Sequence, residues 1–253
     1  MSSGPEWLLL RGLGRQPLHW GDFPSQLSVA LDGASVCCAA FPGSGDRYRQ
    51  PSPIAVDGYV DGLRSGLPSA PRVLVGLSMG GMVALNWACR FPQEVQGVVL
   101  INSSLAALSP VWQRLRPLAA LALLGGWLLP SRWREPLVFD LTCADRRRRA
   151  VTVAYWQQLQ RCQPVSRLNL LRQLLAARSG GSLPQANQPL LVLASGGDRM
   201  VSARCSQALA GSLGGHLELH PWAGHDLPHD DAGWVTAAIK GWWLAAAGVR
   251  AVD

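Results

Sequence analysis

Apolar residues in this chain fall in short unbroken runs, and the stretches between them are mostly spaced like helices. Trp7-Leu8-Leu9-Leu10, the segment 35–41, Arg72-Val73-Leu74-Val75, 95–101 and 189–194 each read as a strand buried on both faces. A shorter sixth strand reads over 216–220. Turn residues stop several of them, as in Arg11-Gly12-Leu13-Gly14, Pro42-Gly43-Ser44-Gly45 and Ser195-Gly196-Gly197-Asp198. The spacing predicts helices over 20–31, 54–67 and 231–247, and one directly after Ser78. Continuous apolar strands alternating with helices imply a mostly parallel sheet of about six strands, covered on both faces and joined by right-handed crossovers. In such a sheet the reactive loops lie at the carboxyl ends of the strands.

The segment 105–183 breaks that alternation. It reads as all-helical, with helices expected over 146–160 and 168–177. A helical cap inserted between two core strands is the simplest account. It leaves an α/β core made of 1–104 and 184–253.

Composition narrows the class. A chain of 253 residues buries one sizeable core with an appended lobe. Its 48% hydrophobic and 15% charged content is that of a globular protein rather than a disordered one. Charge is unevenly placed. The insertion holds twelve arginines against Glu135, Asp140 and Asp145, a local net of +9 in a chain whose total is +7.

The six cysteines form no CxxC pair, and Cys37 and Cys38, adjacent on a strand, point to opposite faces. They read as reduced packing residues, which fits a cytoplasmic protein. No histidine has companion cysteines at ligand spacing, so no metal is expected, nor any cofactor. Met1 to Glu6 has neither a basic nor a long apolar stretch, so no secretory signal is expected. The longest apolar stretch, 118–129, contains Gly125-Gly126 and is too short to span a bilayer, although as a lid it suits contact with a membrane surface.

One motif carries chemistry. Gly76-Leu77-Ser78-Met79-Gly80-Gly81 sits between a buried strand and a helix, with one hydroxyl at the apex of the turn. This is the nucleophile-elbow arrangement. A nucleophilic serine needs a base, an acid that orients the base, and donors for the oxyanion. His225 in Ala223-Gly224-His225, just past the last strand, is the best base. Asp198, at the end of the fifth strand, is the best acid. Asp226, Asp230 and Asp231 follow the histidine too closely and read instead as the start of the final helix.

With those residues in the order Ser, Asp, His, the chain resembles the α/β-hydrolase superfamily over essentially its whole length. It is most similar to compact carboxylesterases with a helical cap. The resemblance implies that Ser78, Asp198 in Gly196–Val201 and His225 are the catalytic triad. It also implies that the backbone amides of Met79 and Leu13 form the oxyanion hole. Two departures stand out: Arg11 replaces the usual histidine before Gly12, and the hairpin that often opens the family sheet is missing.

Each of these residues has a plainer reading. Ser78 alone fits a small residue in a Gly-rich turn, His225 a surface loop, Asp198 a helix cap. Trp20, Leu105, Trp112 and Trp127 are candidates for an acyl pocket, although a core between cap and sheet explains them equally. Arg146, Arg147, Arg148 and Arg149 read as a solvated helix face, or as a patch that steers an anionic substrate or an acyl carrier protein. Nucleic acid is not expected, since no recognition motif accompanies the arginines. The expected activity is hydrolysis of small to medium carboxylic esters or acyl thioesters with an apolar acyl group. The alternatives are carbon–carbon bond hydrolysis on the same scaffold and a non-catalytic binding module.

Overall fold

The computed structural model describes residues 4–179 and 187–250. Six strands, β1 (Glu6–Leu10), β2 (Val36–Ala39), β3 (Arg72–Leu77), β4 (Val95–Ile101), β5 (Leu190–Ser195) and β6 (His216–His220), form one sheet in the order 2-1-3-4-5-6. All five pairings are parallel. Order reverses at β1, which lies between β2 and β3, and the loops after β1 and β3 therefore open side by side.

The strands split their side chains by alternation, as a two-sided buried sheet requires. Leu8, Leu10, Leu74, Val98, Leu100, Leu190 and Val192 face one way, onto α2 (Val56–Arg64), α3 (Met79–Arg90) and α9 (Ala203–Leu213). Trp7, Leu9, Val73, Val75, Val99, Ile101, Leu191 and Leu193 face the other way, onto α1 (Phe23–Ala30) and α11 (Ala232–Arg250). Unbroken apolar runs in the sequence thus become two separate cores, one on each face.

Between β4 and β5 the chain folds into α4 (Val111–Arg114), α5 (Pro117–Leu128), α6 (Ser131–Thr142), α7 (Arg149–Cys162) and α8 (Arg167–Arg178). Proline starts α5 and immediately precedes α6, where its missing N–H costs nothing. The boundary expected at 183/184 lies outside the described residues. The short α10 (Leu227–Asp230) follows β6.

Two expected helices begin three residues later than their spacing suggested. The one placed over 20–31 starts at Phe23, after a single 3-10 turn at Pro17–Trp20. The one placed over 146–160 starts at Arg149, so Arg146, Arg147 and Arg148 precede the helix rather than forming its face. Asp145 accounts for this: it accepts the Arg147 backbone N–H at 2.9 Å and also its guanidinium, which closes a tight turn. Opening a helix with four arginines would also set positive charge against the positive end of its dipole.

Candidate active site

Ser78 stands between β3 and α3 with φ 56° and ψ −120°, a backbone conformation that an L-residue adopts only under strain. Close packing imposes it. A Cβ on Gly76 would run into the backbone of Gly80 and Gly81, and one on Gly80 into the Leu10 carbonyl. Ser78 N–H donates to the Ile101 carbonyl at 2.9 Å, and Ser103 Oγ donates to the Ser78 carbonyl at 2.8 Å. The turn is therefore fixed by the neighbouring strand.

Asp198 and His225 meet at the ends of β5 and β6. His225 Nδ1 lies 2.7 Å from Asp198 Oδ2, with both side chains buried. The other carboxylate oxygen accepts the Met200 and Val201 N–H groups at 2.7 and 2.9 Å. All of this fixes the position of the carboxylate and leaves Nε2 as the ring nitrogen that Asp198 does not engage. Burial disfavours the His225 cation, but the charge and hydrogen bond of Asp198 outweigh it, and the imidazole pKa is raised above 6.5. Among the described residues no hydrogen bond joins Ser78 Oγ to His225; in unliganded enzymes such a contact is often long and tightens with substrate.

The loop after β1 lies against the serine. A Cβ on Gly12 would come within 3.1 Å of Ser78 Cβ. Leu13 follows, and Met79 is the first residue of α3, so its N–H has no carbonyl of its own helix to bond. Among the described residues neither of these two amides carries a hydrogen bond. The loop is also tied to the helical segment between β4 and β5, because Gly14 N–H donates to Gln173 Oε1 on α8 at 2.7 Å.

Arg11 explains its own departure from the family pattern. Its guanidinium grips both oxygens of Asp226, at 3.0 and 2.6 Å, and lies 4.6 Å above the Trp20 ring. Burial raises the Asp226 pKa, but the charge and hydrogen bonds of Arg11 overcome it and hold the carboxyl below its usual value. Asp226 is thus not the start of the final helix; it anchors the histidine loop to the loop after β1. Asp230 departs in the same way, accepting the Ala144, Asp145 and Gly224 N–H groups. Asp231 fits the expectation, since it accepts the Trp234 N–H at the start of α11.

Asn102 is a site residue that the sequence did not single out. At the end of β4, with φ 47°, it donates to the His225 carbonyl at 2.9 Å and to Ser195 Oγ, and accepts the Ser195 N–H. One side chain thus ties the histidine loop to β5. A buried second ion pair, Arg15 to Glu135 at 2.6 Å, links the loop after β1 to α6. Arg15 also touches His19, which burial and the two arginines keep neutral, its pKa well below 6.5.

The expected pocket residues do not converge. Trp20 is buried beneath Arg11 and stacked on Phe23, and Leu105 is buried in the core. Trp112 is exposed and lines a cavity of about 960 Å³ with Arg116, Leu118, Arg199 and the backside of the Asp198 loop, but not Ser78 or His225. The side chain of Trp127 lies outside the described part of α5. Of the arginine quartet, Arg147 pairs with Asp145, while Arg146 and Arg149 pair with Asp140. Cys143, His229 and Asp230 are close enough together to bind a metal, but three backbone amides already occupy the Asp230 carboxylate.

The chain belongs to the alpha/beta hydrolase family, whose model matches residues 7–238. It is similar to the pimeloyl-(acyl-carrier protein) methyl ester esterase of Aromatoleum aromaticum, 28% identical over 223 residues, covering 83% of this chain and 86% of that protein. The protein of the same description from Chromobacterium violaceum is 31% identical over 104 residues, 41% of this chain and 39% of that protein's length. Among solved structures, the enol-lactonase from Burkholderia xenovorans LB400 shares the fold with a TM-score of 0.77 at 18% identity, covering 95% of this chain and 92% of that one.

Proposed function

We propose that this hydrolase cleaves carboxylic esters or acyl thioesters by acyl transfer through Ser78. The observation that carries the reading is the 2.7 Å hydrogen bond between buried Asp198 and His225, in a chain whose elbow serine is braced by the neighbouring β4 end. Ser78 Oγ attacks the carbonyl carbon while its proton passes to His225 Nε2. Asp198 holds the ring through Nδ1, which leaves Nε2 to take the proton, and its charge offsets the imidazolium that forms. The oxyanion is held by the Leu13 and Met79 amides, which are free to donate.

His225 then gives its proton to the departing alcohol or thiol. A water activated by the same nitrogen releases the acid and restores Ser78. The apolar acyl part lies under the helical insertion, which acts as a cap over 105–183. The likeness to a protein described as acting on an acyl-carrier-protein methyl ester favours a linear acyl chain, free or carrier-bound. Ser78→Ala tests the reading: p-nitrophenyl butyrate hydrolysis and fluorophosphonate labelling should both vanish while the far-ultraviolet spectrum is unchanged. Retained turnover, or wild-type protein that resists the label, would overturn it.

A further inference from the structure

Helix α5, Pro117–Leu128, contains no charged residue, and its apolar positions run right round the helix. One side is covered. Ala119 is buried, and Gly126 lies so close to α6 that a Cβ would come within 2.9 Å of Leu137 Cδ2. The opposite side is bare. Leu118, Leu121 and Leu124 fall on one stripe and are 81%, 66% and 61% exposed. A helix that is apolar all round belongs in a core or against lipid, and here the leucine stripe is left exposed.

Charge identifies what covers the stripe. Residues 105–134 contain four arginines (114, 116, 132 and 134) and no carboxylate. Arg116 is exposed at the start of α5, and Arg132 is exposed in the first turn of α6, just beyond its far end. Exposed Trp112 and Trp133 stand beside them. An uncharged leucine stripe with exposed arginine and tryptophan on either side offers apolar area to the acyl boundary and cations to anionic head groups. At twelve residues it is too short to span the hydrocarbon layer. Pairing with a second copy would bring two lobes of like charge together, each with a net of +9.

We propose that α5 and its flanks dock on an anionic bilayer surface. The leucine stripe enters the boundary between head groups and acyl chains, and Arg116 and Arg132 meet lipid phosphates. This places the insertion at the membrane while the sheet stays outside it. It does not depend on the catalytic reading, so Ser78→Ala protein should bind as the parent does.

The test is co-sedimentation of the full chain with extruded vesicles of phosphatidylcholine alone or mixed with phosphatidylglycerol. Binding to the anionic vesicles should be about tenfold or more stronger than to the neutral ones and should weaken in high salt. Leu121→Glu with Leu124→Glu should reduce it by about tenfold or more. These positions are exposed, so the melting temperature should be unchanged. Arg116→Glu with Arg132→Glu should erase the preference for anionic lipid. The proposal is overturned if the protein stays out of anionic vesicle pellets at low salt, even where gel filtration shows a second copy or an acidic protein on this face. It is equally overturned if the Leu121→Glu, Leu124→Glu protein sediments like the parent.

Discussion

Arg11 and Asp226 form a buried, two-pronged ion pair between the residue before Gly12 and the residue after His225. The two loops that would supply an oxyanion donor and the general base are thereby fixed to each other. A surface pair of this kind would contribute little, but breaking a buried one strands a charge in a low-dielectric interior.

Arg11→Ala should therefore destabilise the fold by about 3–5 kcal/mol, and Asp226→Asn by a comparable amount. The paired change Arg11→Gln with Asp226→Asn should cost less than either single change. Urea denaturation of the four proteins measures the coupling; simple additivity would show that the pair holds nothing in place.

The raised pKa of His225 predicts the pH dependence of turnover. The base must be neutral, so kcat/KM should climb with pH along an acidic limb centred above 6.5. Asp198→Asn should move that limb to lower pH and cut kcat by about 10³–10⁴. A wild-type limb below 6.5 would contradict the assignment.

The same shift has a consequence for stability, with a definite sign. A group whose pKa is raised on folding stabilises the fold below its unfolded value and loses that contribution as pH rises through the folded value. The gap in melting temperature between wild type and His225→Gln should thus be wider at pH 6 than at pH 9. Differential scanning fluorimetry across that range reads it directly.

Strain at the elbow should be measurable apart from chemistry. Glycine at position 78 relieves a φ of 56° that alanine cannot, so Ser78→Gly should be more stable than Ser78→Ala by about 1 kcal/mol, with both inactive. Equal stabilities would mean that the turn is not strained.

The Arg15–Glu135 pair ties the loop after β1 to α6, both partners buried. Glu135→Ala should destabilise by about 3–5 kcal/mol. It should also lower kcat for esters more than it raises KM, because the loop carrying Leu13 loses one of its three ties. An effect on KM alone would confine Glu135 to substrate binding.

The six strands along the chain, the strand–turn–helix at Ser78 and the strand-end places of Asp198 and His225 were legible in the sequence, whereas α9 between β5 and β6 was not. They depend on local signals: unbroken apolar runs mark strands buried on both faces, and glycines mark a turn too tight for side chains. The insertion was legible only as helical. Its boundaries shifted where a side chain out-competed spacing, as Asp145 did at Arg147. Which acid would meet Arg11, that Asn102 would hold the histidine loop, and that Trp112 would line a cavity without Ser78 could not be read in advance. Those relationships join residues as many as 215 positions apart, brought together only when six parallel strands set their carboxyl ends side by side. Periodicity decides which face of an element is buried. Only packing in three dimensions decides which buried charge finds which partner, because any of several carboxylates would satisfy the same guanidinium equally well by chemistry alone.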